Sequence, residues 1–165
     1  MSRILLVDDD ADLRSVFREK LEYSGHVVDE AESAEVALAK VSAFDPALVV
    51  TDVRMEGMTG LELLSRIRES MEFVDVIVMT GHDTMTSAVE AMKSGAFDYL
   101  VKPVGLKELE AVVDRCLSDQ EVNRAAAEQR EMDGEESDGA ESDEGVRKVV
   151  GRDPRMIEIY KMIGV

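Results

Sequence analysis

Six polar residues stand where short apolar runs stop. Asp8, Asp9 and Asp10 follow the run at 4–7, and Asp52 closes the run at 47–50 after one threonine. Thr80 ends the run at 74–79, and Lys102 follows the one at 96–101. Several carboxylates gathered at one place cannot all stay ionised and unpaired. With oxygen donors and no His or Cys among them, their natural partner is a hard divalent cation, Mg²⁺ or Mn²⁺. A cation held opposite a lysine and a hydroxyl can neutralise a phosphoryl group, and Asp52 could then be the nucleophile that carries it. Singly, each residue has a plainer reading: the aspartates as helix caps, Thr80 as a strand residue, Lys102 as a surface charge.

The chemistry needs one rim, so the elements decide. From residue 3 to about 118 the pattern is five strand–helix pairs. Strands are predicted at 3–7, 27–30, about 47–52, 74–80 and 96–101. The first helix places Leu13, Val16, Phe17 and Leu21 on one face and stops at Gly25. Ser33 caps a second, striped with Ala34, Ala37, Leu38 and Val41. A third carries Leu61, Leu64 and Ile67, and a fourth runs from about Thr84 to Ser94. The last, from Leu106, turns Leu109, Val112, Val113, Cys116 and Leu117 inward. Strands alternating with helices at this spacing predict an α/β fold: a doubly wound, five-stranded parallel sheet with helices on both faces, in flavodoxin-like order. All the polar strand ends then share its carboxyl edge.

Composition narrows the classes. The chain has 165 residues, 45% hydrophobic, with a formal net charge of −17, which argues against phosphate-backbone binding by this chain itself. One cysteine leaves no disulfide framework, and no apolar run has the length of a membrane span, so a cytoplasmic protein without membrane attachment is expected. An EF-hand match at Asp8, Asp10, Asp12 and Glu19 fails because Leu13 stands where the calcium loop needs glycine. The predicted organisation is a domain at 1–119, a helical extension and acidic flexible linker at 120–145, and a basic, apolar segment at 146–165. In that last segment Met156, Ile159, Tyr160 and Ile163 share a helical face.

The blocks ILLVDDDADLR, VVTDVRMEGMTGLELL and VIVMTGHDTMTSAVEAMKSGAFDYLVKPV resemble the receiver domain of two-component response regulators. The last block is most similar to receivers of NtrC-like, sigma-54-dependent transcription activators. The tail VVGRDPRMIEIYKMIGV resembles the opening of their AAA+ domain. The resemblance implies that Asp52 accepts a phosphoryl group from a sensor histidine kinase. It implies Mg²⁺ (or Mn²⁺) held by Asp8, Asp9, Asp52 and the backbone carbonyl of Arg54. It also implies Thr80 as switch hydroxyl, Tyr99 as the aromatic that turns inward, Lys102 as the phosphoryl partner and a cis Lys102–Pro103 bond. A homodimer is expected, with sigma-54 RNA polymerase and DNA reached only through output domains absent here. No phosphate loop or helix-turn-helix module is present, so a truncated regulator is expected rather than an enzyme. Glu56 departs from the family's usual proline, which puts loop stiffness in question; the resemblance also implies that Arg54 and His82 occupy positions that vary in the family and can tune dephosphorylation.

Two rivals come from other classes. An aspartyl-phosphate hydrolase on a similar sheet wants a second Asp two residues past the nucleophile, where this chain has Arg54. A pseudo-receiver acting by contacts alone would not need the complete set of Asp8, Asp9, Asp52, Thr80 and Lys102.

Overall fold

The structure is a computed structural model and describes residues 1–71, 73–81 and 85–132. The strands are β1 (Arg3–Val7), β2 (Val27–Ala31), β3 (Leu48–Asp52), β4 (Asp75–Thr80) and β5 (Asp98–Val101). They alternate with helices α1 (Ala11–Tyr23), α2 (Ala34–Phe44), α3 (Gly60–Ser70), α4 (Met85–Lys93) and α5 (Leu106–Met132). All neighbours are parallel, in the order β2-β1-β3-β4-β5. This is the flavodoxin-like order, and its winding reverses between β1, which Asp8 follows, and β3, which ends at Asp52.

Side chains alternate across a strand, so each apolar run feeds two cores. Leu5, Val7, Val49, Val76 and Val78 pack against Ala34, Ala37 and Val41 of α2, Leu63, Leu64 and Ile67 of α3, and Ala91 of α4. On the other face Ile4, Leu6, Leu48, Val50, Ile77, Met79 and Leu100 meet Phe17 and Leu21 of α1. The five inward residues expected of α5 all join them. Burial of β3 is complete along its length, while β2 lies at the sheet edge.

Differences from the sequence expectation are local. Val16 is 47% exposed, because one residue is a 100° step and the inward stripe of α1 follows Phe17 and Leu21 instead. Leu63 is fully buried in α3, whereas Leu61 is only half-buried. The fourth and fifth strands begin one and two residues later than expected, at Asp75 and Asp98. Asp98 is buried and paired with Arg115 of α5. The expected α4 start at Thr84, the position of His82, and the segment from 133 onward lie outside the described residues. Among the described residues, no helix is long and apolar enough to cross a membrane.

Helix starts are set by side chains. Asp10 accepts from the amides of Asp12 and Leu13, and Ser33 from Val36. Thr59 and Glu62 form a reciprocal capping box at α3. At the opposite rim of the sheet, Gln120 of α5 donates to the Ala47 carbonyl (2.8 Å) and to the Asp75 carboxylate (2.7 Å). Thr59→Ala is expected to lower stability by about 1 kcal/mol in urea denaturation, through loss of the cap. Hydrogen bonds from the Thr59 amide and hydroxyl hold the Glu62 carboxyl below its usual range. Its part of the stabilisation is therefore complete above its ordinary value and disappears as pH falls through the lowered one, so the wild-type advantage over Glu62→Ala should vanish in acid.

Candidate functional site

Three strand ends converge. Lys102, directly after β5, places its Nζ 2.8 Å from Asp8 Oδ2 and 2.7 Å from Asp52 Oδ2. The three residues are separated by up to 94 positions in the chain, and only the strand order brings them together. Asp8 is 2% exposed and Asp52 7%, so the pair sits beneath the rim rather than on it. Asp9 is exposed at the mouth.

The local backbone aims each group. The Asp8 amide continues the β1–β2 ladder by donating to Ala31, and Asp8 Oδ1 accepts the Asp10 amide at 2.9 Å. This divides the aspartate triplet: Asp10 is the helix cap, and Asp8 turns into the site. Asp52 Oδ1 accepts the Arg54 amide at 3.2 Å, which leaves Oδ2 to Lys102. The Val53 amide bonds the Met79 carbonyl, and the Lys102 amide bonds the Thr80 carbonyl at 2.7 Å, locking the ends of β3, β4 and β5 side by side. Thr80 is 2% exposed at the end of β4. Tyr99 is half-buried on β5, in register with Val78. The Lys102–Pro103 peptide is cis, as the resemblance implies.

Burial pushes the Asp8 carboxyl above its usual value, and the Lys102 hydrogen bond only partly offsets this. Burial alone would lower the Lys102 pKa, but hydrogen bonds to Asp52 and Asp8 outweigh it and hold the ammonium above its ordinary range. Lys102 is therefore a fixed positive charge facing an excess of carboxylate. One carboxylate oxygen from each of Asp8, Asp9 and Asp52 lies within 4.8 Å of the others. Three oxygen donors that close, with no imidazole or thiolate, fit a hard divalent cation such as Mg²⁺.

Three supporting residues had not been singled out from the sequence. Arg14 donates from its guanidinium to the Asp8 carbonyl. Glu35 of α2 accepts the Met58 amide at 2.9 Å in the loop after β3. Gly60 lies so close beneath Asp52 that a Cβ there would fall 2.0 Å from the Asp52 carbonyl oxygen. Only for Gly60 was there a local signal, a glycine directly after the Thr59 cap. Arg54 is exposed and reaches toward the end of β4, where its Nη2 would lie 2.8 Å from a Cβ placed on Gly81.

The model of the response regulator receiver domain matches residues 4–114. The chain belongs to that family. Among curated relatives, this receiver chain is 33% identical over 161 residues to the DNA-binding transcriptional regulator NtrC of Salmonella typhimurium, covering 98% of the chain and 32% of that protein. It is 36% identical over 160 residues to NtrC of Azospirillum brasilense, covering 97% of the chain and 31% of that protein. The chain thus spans about a third of the length of the curated relatives it matches. Among solved structures, NtrX from Brucella abortus aligns with a TM-score of 0.78 at 31% identity, over 84% of this chain and 31% of that one. A response regulator receiver domain protein from Clostridium thermocellum aligns with a TM-score of 0.71 at 29% identity, over 74% of this chain and 98% of that one.

Gly60→Ala tests the packing beneath the site. Backbone atoms of Asp52 cannot move aside cheaply, so the variant is expected to lose about 1–3 kcal/mol in urea denaturation. The Lys102–Asp52 contact should be disturbed with it, visible as shifted Lys102 side-chain resonances.

Proposed function

We propose that Asp52 is the phosphoacceptor of a signalling switch and that its donor is the phosphohistidine of a sensor kinase. The observation that carries this reading is the Lys102 ammonium held between Asp8 and Asp52 at a carboxyl rim that also bears Thr80. In the transfer, a carboxylate oxygen of Asp52 forms a bond to phosphorus as the phosphorus–nitrogen bond of the phosphohistidine breaks. The imidazole leaves with the bonding pair and takes a proton from solvent. Asp8, Asp9, Asp52 and the Arg54 carbonyl are the residues that would hold Mg²⁺, with Mn²⁺ an alternative. When bound, the ion supplies neutralisation of the phosphoryl charge.

The remaining work falls to the chain. Lys102, whose ammonium is already aimed at Asp52, donates to a phosphoryl oxygen. Thr80, one residue past Met79, the partner of Asp52 in the β3–β4 register, turns its hydroxyl to the same group. Tyr99 then moves inward behind it, and the surface of α4, β5 and α5 changes with these residues. The chain takes part in gaining and losing its phosphoryl group but does not act as a turnover enzyme; Arg54 stands where a hydrolase of this chemistry would place its second carboxylate.

By extension from the NtrC proteins, which are named DNA-binding transcriptional regulators, the switch controls a transcription-activating output module. Contacts with sigma-54 RNA polymerase and DNA belong to that module. We place the protein in the cytoplasm, as a homodimer.

Incubation with acetyl phosphate and Mg²⁺, followed by intact mass measurement, tests the core of this reading. A gain of one phosphoryl group is expected in wild type and not in Asp52→Asn or with EDTA. Identical behaviour of wild type and Asp52→Asn would sink the reading. Mg²⁺ alone should also stabilise the fold, by about 2.7 kcal/mol at a free concentration roughly 100 times its Kd. Asp9→Asn should abolish most of that gain in thermal or urea unfolding.

A further inference from the structure

The loop between β3 and α3 carries Arg54, and three of its amides are tied in sequence. Gly60 donates to the Val53 carbonyl at 3.0 Å, which closes the loop on itself. Thr59 donates to Glu62 Oε2 at 2.8 Å, inside the α3 cap. Met58 donates to Glu35 Oε1 at 2.9 Å, 23 residues away in the first turn of α2. The same Glu35 oxygen is pressed against Gly57. A Cβ on Gly57 would lie 2.7 Å from it, and Gly57 has a φ of +79°, which a side chain would also oppose. One carboxylate oxygen thus lies over the left-handed turn and accepts the amide that follows it.

The neighbouring position explains why such a tie is useful. Residue 56 is glutamate, so the loop lacks the fixed φ that a proline would give it. Two of its ties are local and travel with the loop or with α3. Glu35 instead connects it to a helix packed on the same face of the sheet. We propose that Glu35 is a positioning residue of the phosphoryl site: by fixing the turn at Gly57 and Met58 it holds the Arg54 carbonyl ready for the metal. This inference rests on the metal assignment in the proposed function.

Glu35 is suited to the task although it is exposed. The Met58 amide, its own amide and the Ser33 hydroxyl hold its carboxyl below the usual range, so the acceptor is charged at neutral pH. A charge-assisted hydrogen bond is stronger and shorter than a neutral one. The plainer alternative is an acid that merely complements the α2 dipole. That role would not depend on an oxygen reaching Met58, and it would leave metal affinity unchanged.

The test compares the 165-residue chain as wild type, Glu35→Ala and Glu35→Gln. Mg²⁺ affinity is measured by calorimetry without any phosphoryl donor, and exchange of the Met58 amide by NMR. Glu35→Ala is expected to weaken Mg²⁺ binding by about three- to tenfold and to speed Met58 exchange by a similar factor. At saturating Mg²⁺ it should still reach the wild-type mass gain with acetyl phosphate. Glu35→Gln keeps an oxygen acceptor and should fall between the two. Wild-type Mg²⁺ affinity in Glu35→Ala, or a loss in Glu35→Gln as large as in Glu35→Ala, would overturn the inference. If wild type itself binds no Mg²⁺, the proposed function fails instead, while Met58 exchange still reports whether Glu35 restrains the loop.

Discussion

An ammonium shared by two buried carboxylates is the interaction on which this molecule depends. Asp8 and Asp52 lie beneath the sheet rim, where an uncompensated charge is costly. Lys102 supplies the compensation, and it does so from the far side of the sheet. For that to happen the ends of β1, β3 and β5 must come level, with β4 between the last two. The strand order is therefore a requirement of the charge arrangement as much as a product of apolar patterning. A sheet wound in another order would bury the same hydrophobic surface but separate the three residues.

The site works against the fold that carries it. Burial raises Asp8 even with a lysine beside it, so its charged form loses more to burial than the Lys102 contact returns. The restraint comes from all around: two apolar cores on opposite faces of β3, the Arg14 guanidinium on the Asp8 carbonyl, and Gly60 against the Asp52 backbone. None of these groups needs to touch a phosphoryl oxygen. Their common effect is to leave the carboxylates little freedom to turn away from each other.

Much of this was legible in the sequence, and for a physical reason. Buried parallel strands are written as continuous apolar runs, so a polar residue at the end of each one marks its position on the rim. The aspartate triplet, Asp52, Thr80 and Lys102 are therefore placed together by the sequence pattern alone. What stayed hidden depends on rotation and reach. Val16 was placed on the inward face and Leu63 was passed over, because a helix stripe of three or four residues tolerates a one-residue phase error. Glu35, Arg14 and Gln120 carry no signal of their own; each is an ordinary charged or amide side chain on a helix. Its partner is a backbone group on another element. The sequence pattern specifies faces, and it does not specify which long side chain bridges from one face to the next loop.

Gln120 has a consequence for protein engineering. Its amide joins α5 to the lower rim by way of the Ala47 carbonyl and the Asp75 carboxylate. A fusion junction placed after this residue leaves both acceptors paired and the receiver end-capped. A junction a few residues earlier would remove one donor from each, leaving the Ala47 carbonyl to the Asp75 amide and the Asp75 carboxylate to Arg68. For anyone grafting this receiver onto a reporter, the natural splice point lies beyond Gln120, not at the last apolar residue of the core.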